Sequence, residues 1–81
     1  MYSLGARYLK EKSYEPASAA FRTALEIDPG YADAARNLAV ALDQLGRDQE
    51  ALQHFRLYLR LRPDAPDSAK IEERIREAEG G

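Results

Sequence analysis

The chain contains no cysteine, which excludes disulfides, thiol catalysis and thiolate-bound metals. Its one histidine, His54, has no Ser or Cys nucleophile beside it and no second imidazole with which to share a metal. No glycine-rich loop precedes a helix in a phosphate-binding pattern. The carboxylates are scattered among Lys and Arg, as in Glu72 with Arg76 four residues on, and read as pairs on helix surfaces. The sequence therefore selects no catalytic, metal-binding or cofactor-binding residue, and neither an enzyme nor a cofactor is expected. Charge of one sign is also missing: 12 Lys and Arg stand against 14 Asp and Glu, a net charge of −2, which gives no electrostatic case for nucleic acid or an acidic membrane. The basic cluster Arg56, Arg60 and Arg62 sits near the end of a helix, where it complements the dipole, and three arginines on an acidic chain are too few for a nucleic-acid surface. No apolar run approaches the roughly 20 residues of a membrane span. Arg7, Lys10, Glu11 and Lys12 interrupt the start, so a secretion signal is not expected and the cytoplasm is the expected location.

What is present is self-similarity. Slid by 34 residues, the chain matches itself at Leu4 and Leu38, Ala17 and Ala51, Phe21 and Phe55, Arg22 and Arg56, Leu25 and Leu59, and Pro29 and Pro63. Gly5 with Ala39, Tyr8 with Leu42 and Ile27 with Leu61 are conservative matches. A period of this length signals stacked supersecondary units, each unable to bury its apolar face alone. The 81 residues can bury only on the order of 60% of the surface that the unfolded chain exposes, so one modest core is expected.

Apolar spacing and breakers predict an all-α fold of five helices in antiparallel hairpins. The first runs from about Met1 to Lys12 with Met1, Leu4, Gly5 and Tyr8 on one stripe. The second starts near Tyr14, tolerates Pro16 in its first turn, turns Ala17, Ala20, Phe21, Ala24, Leu25 and Ile27 inward, and stops at Asp28-Pro29-Gly30. The third, about Tyr31 to Leu45, carries Ala35, Leu38, Ala39 and Leu42, with Gly46 as a left-handed cap. The fourth, about Asp48 to Leu61, buries Ala51, Leu52, Phe55, Tyr58 and Leu59. The last, about Asp67 to Glu79, aligns Ile71, Ile75 and Ala78 against an otherwise charged surface, and Gly80-Gly81 reads as a frayed end.

Leu4-Gly5-x-x-Tyr8, Ala17-x-x-x-Phe21, Ala24 and Pro29, repeated one period later, resemble the tetratricopeptide repeat pattern. The resemblance implies a short right-handed α-solenoid, with repeats at 1–31 and 32–65 and a capping helix with its tail at 66–81. The first repeat begins at the fourth position of the pattern, which suggests a piece of a longer protein. Lys12 stands where the pattern has a helix-ending Gly, which implies about 1 kcal/mol of backbone strain. Asp48 replaces the aromatic seen as Tyr14 and is expected to loosen the second hairpin. Tyr58 stands where a small residue is usual and needs room that the last helix is expected to supply.

By the same resemblance, the first helices of successive repeats line a concave groove that takes an extended peptide or a helix. Carried over, that groove comprises Tyr2, Ala6, Leu9, Asp33, Arg36, Asn37, Val40 and Gln44, flanked by Ser3, Lys10 and Asp43, with Lys70 and Arg74 on the last helix. Asn37 matches the family's recurrent groove asparagine, whose amide both donates and accepts, and Arg36 is placed to pair with a carboxylate. The carboxylate clamp of chaperone-binding members is not expected, because Tyr2, Ala6, Asp67 and Ile71 occupy its other positions. The expected function is a protein–protein interaction module for a protein or peptide partner. The alternative is a structural stacking segment that self-associates weakly through its ends.

Overall fold

The computed structural model describes residues 1–80, and Gly81, half of the expected frayed end, lies outside them. The described chain is all-α, in five helices: α1 (Tyr2–Lys10), α2 (Tyr14–Ile27), α3 (Ala32–Gln44), α4 (Asp48–Leu61) and α5 (Ser68–Gly80). Gly80, the last described residue, is helical. α1 pairs with α2 and α3 with α4 as antiparallel hairpins, α2 packs on α3, α1 reaches α3, and α5 lies on α4. The stack measures 32 × 24 × 19 Å.

The 34-residue period reaches the backbone of the turns. After α1, Ser13 N–H bonds to Tyr8 O at 2.8 Å and Lys12 N–H to Leu9 O at 3.0 Å, with Lys12 at φ 62°. One period on, Arg47 N–H bonds to Leu42 O at 2.9 Å and Gly46 N–H to Asp43 O at 3.1 Å, with Gly46 at φ 77°. Both are left-handed helix stops that satisfy the last carbonyls. Glycine takes this conformation at no steric cost, whereas Lys12 holds it against the clash of its Cβ. The expected strain therefore falls on Lys12, and α1 ends at Lys10 to make the turn. The inter-hairpin turns repeat too. Asp28 and Arg62, each placed just before a proline, leave the helical region at φ −135°, ψ 91° and φ −138°, ψ 67°, as a following proline requires.

α3 is the central helix, and Ala32, Ala34, Ala35, Leu38, Ala39, Ala41 and Leu42 are all buried on it. Phe21 and Phe55 are buried from α2 and α4, with the small residues around them letting the helices approach. At Gly5 the approach is close: a Cβ there would meet the Phe21 ring at 2.8 Å. Tyr2 holds the same ring from its edge at 5.6 Å between centroids.

Several expected core positions lie outside it. Met1 is 55% exposed, Leu4 39% and Ile27 75%. Their repeat mates Ala35 and Leu38 are fully buried and Leu61 half-buried, because those are covered by a neighbouring element and the first hairpin has none on that side. Leu25 and Leu59 are half-buried. On α5, Ile71 and Ile75 are buried, whereas Ala78 is exposed.

Candidate functional site

The expected groove residues sit on α1 and α3, which lie side by side. Tyr2, Ala6, Leu9 and Val40 are half-buried and pack against the core with part of their surface in water. Asp33 and Gln44 are exposed, near the two ends of α3.

The polar members are tied to one another. Asn37 donates from Nδ2 to Tyr2 Oη at 2.9 Å, and its Oδ1 accepts from Arg36 Nη1 at 3.0 Å. Arg36 donates from Nε to Asp67 Oδ2 at 2.6 Å, and the other oxygen of Asp67 accepts from the hydroxyl of Tyr58 at 2.7 Å. One chain of hydrogen bonds therefore runs from α1 through α3 to the residue before α5 and back to α4. The carboxylate that Arg36 meets is the molecule's own. The Asn37 amide keeps one N–H and one lone pair for anything laid over it.

Electrostatics follow the geometry. Asp67 is held below the usual carboxylate range, first by the Tyr58 hydrogen bond and then by Arg36. Burial and the same bond push the Tyr58 hydroxyl above its ordinary value. Two turns along, Arg74 of α5 makes a bidentate pair with Asp43 of α3, which raises the Arg74 pKa. α3 thus presents a cation and then an anion seven residues on, and the α5 segment an anion and then a cation at the same interval. Sliding or reversing α5 brings like charges together, so the two pairs set its register and direction.

Other ion pairs fasten the remaining elements. Arg47 reaches Glu15 at 2.9 Å and Arg22 reaches Glu50 at 3.2 Å, joining the two hairpins. Arg56, the first residue of the basic cluster, pairs with Glu79 of α5. His54 is half-buried and its Nδ1 bonds to Glu50 O at 2.9 Å, an interaction that requires the proton on Nδ1. Among the described residues no cluster of three His, Cys, Asp or Glu side chains is placed to hold a metal ion. No described helix is long and apolar enough to cross a membrane.

Two cavities of about 280 and 260 Å³ are lined by Met1, Tyr2, Ser3, Ala24, Ile27, Asp28 and Tyr31, and by Met1, Leu4, Tyr8, Pro16, Ala19, Ala20 and Thr23. Of the expected groove core, only Tyr2 contributes to either. Tyr2 also stacks on Tyr31 at 4.9 Å. Sequence reasoning missed Tyr31, the partners of Asp67, and the match of Arg74 to Asp43. The signal available for the ion pairs was opposite charge at a separation of 31 residues, found at both Arg36 with Asp67 and Asp43 with Arg74.

Repeated helical hairpins with matching turns, a shared core and no assembled catalytic or metal centre among the described residues define a helical-repeat scaffold of the kind that mediates protein–protein interaction. The sequence model of the tetratricopeptide repeat matches residues 4–76, and the chain belongs to that family. No curated protein matches the chain at significant similarity.

Proposed function

We propose that this chain is a non-enzymatic interaction module that holds a partner peptide or helix along α1 and α3. The observation that carries the reading is the strip of Tyr2, Ala6, Leu9 and Val40, half-open to water on two adjacent helices. Beside it the charges of Arg36 and Arg74 are already met by Asp67 and Asp43. A surface of this composition favours an apolar or amphipathic segment over an acidic tail, because an acidic ligand would have to compete with internal carboxylates. Asn37 supplies the polar contact to the ligand backbone. Two repeats offer a short groove, and affinity on the order of −8 kcal/mol or weaker fits it. The assignment of 1–31 and 32–65 as repeats, 66–81 as their cap, and the cytoplasm as location belong to the same proposal.

Affinity capture from a cell lysate tests it, comparing the native chain with a Leu9→Glu, Val40→Glu variant of unchanged helicity. Arg36 and Asn37 are poor positions for this test, since they also hold the stack together. A partner retained by the native chain and lost by the variant supports the groove. Equal recovery by both sinks it.

A further inference from the structure

The backbone of α5 packs against α4 and stands away from α3. Every Cα of α5 lies more than 8 Å from every Cα of α3, although α1 approaches α3 within that distance. Two long side chains bridge the gap, Arg36 reaching Asp67 and Arg74 reaching Asp43. A third pair, Arg56 with Glu79, holds the far end of α5 to α4. The six side chains in these pairs are 21–50% exposed, so water and salt reach all of them. The apolar share of the docking is small: α5 buries Ile71 and Ile75 out of 13 residues, whereas α3, of the same length, buries seven. A helix of 13 residues without a neighbour is marginal in water, so α5 unfolds when it undocks.

We propose that residues 67–80 form a strap that opens as one unit while the two hairpins stay folded, with the ion pairs to α3 as its latch. Partial opening takes the part of a structure with the least buried apolar surface, and here charge closes that part. The latch also flanks the candidate strip. Arg36, Val40 and Asp43 follow one another at intervals of four and three residues, one row of α3, so the two pairs stand on either side of the half-buried Val40. Opening clears the flank of Val40 and frees the Arg36 guanidinium beside Asn37. That consequence for partner binding rests on the groove reading, and the opening itself does not.

Native-state hydrogen exchange of the 81-residue chain, read amide by amide by NMR, tests the strap without a partner, so its failure leaves the groove reading standing. Amides from Glu73 to Ala78 are expected to share one protection factor, about 30-fold or more below those of Leu38 and Leu42 in α3. Raising NaCl from about 0.05 to about 0.5 M lowers the α5 value about threefold or more relative to α3. Asp43→Asn, which breaks one pair of the latch, lowers it about threefold or more with α3 unchanged. Asp33→Asn, exposed on the same helix and outside the three pairs, leaves it unchanged. Equal protection in α5 and α3 overturns the proposal, since the whole chain then opens together. A gradient falling steadily from Glu73 to Ala78 is fraying from the end and overturns it too. So does an α5 value indifferent to salt or to Asp43→Asn, or an Asp43→Asn protein that loses as much protection in α3 as in α5.

Discussion

Removing one hydroxyl tests how far the hydrogen-bond chain holds the stack together. Tyr58 is 5% exposed and its hydroxyl donates to Asp67 at 2.7 Å. Phenylalanine at that position fills the same volume, so Tyr58→Phe deletes the bond without opening a cavity. A hydrogen bond to a charged group contributes about 1.5–3 kcal/mol net. Asp67 keeps Arg36 and its side chain is 25% exposed, so water recovers part of the loss and the lower end, about 1.5 kcal/mol, applies. For a domain of this size that is a fall in Tm of about 6–12 °C. Asp67→Ala costs more, about 2–4 kcal/mol, because it strands a buried hydroxyl and leaves Arg36 unpaired as well. The two changes share one bond, so the double variant is less destabilised than their sum by about 1 kcal/mol or more. Urea and thermal unfolding of the four proteins at neutral pH, followed by circular dichroism, measure each term. A Tyr58→Phe protein within about 0.5 kcal/mol of the parent, or strictly additive changes, refutes the idea that this contact fastens α5.

Acid provides a second reading of the same carboxylate. The folded-state pKa of Asp67 is lowered, so its contribution is complete above the unfolded value of about 3.9 and is lost as pH falls through the lowered one. Asp67→Asn should flatten the decline of Tm on acidification below about pH 4. Gly5→Ala is expected to destabilise by about 1–2 kcal/mol, since the overlap with the buried Phe21 ring outweighs the roughly 1 kcal/mol of helix propensity gained; a stabilised protein in urea unfolding would contradict this. Lys12→Gly should stabilise by about 1 kcal/mol by relieving the left-handed φ of 62°, while Gly46→Ala loses a similar amount; equal unfolding midpoints would remove the strain argument.

Much of the fold was legible because a period written in apolar residues is also written in turns. Lys12 was identified as a strained helix end because the repeat pattern has Gly at its position, as Gly46 does one period on, and Pro29 and Pro63 marked both helix stops. Burial transferred less well than element type. Leu4 has the residue type of Leu38 but lacks its surroundings, since the second hairpin is covered by the first and the first has no counterpart on its own far side. Ala34 and Ala41 were missed for the opposite reason. α3 touches α1, α2 and α4, so its apolar surface is wider than one stripe.

The candidate groove residues were legible as neighbours on two adjacent helices, and their hydrogen-bond partners were not. Arg36 read as a free cation beside Asn37. Its partner Asp67 is 31 residues away, about one helical turn short of the repeat, so a search in the 34-residue register passes over it. The same offset hides Arg74 from Asp43. Those contacts turn what read as a polar groove wall into a brace between α3 and the α5 segment, which is why the half-buried strip of Tyr2, Ala6, Leu9 and Val40 carries the binding proposal instead.

The most direct test of that proposal is a backbone amide shift map of the labelled chain titrated with the partner segment recovered by capture. The account predicts saturable shifts along α1 and α3, centred on Ala6, Leu9, Val40 and Gln44, that vanish in the Leu9→Glu, Val40→Glu variant. Shifts confined to the outer sides of α2 and α4, or unchanged by that variant, would contradict it.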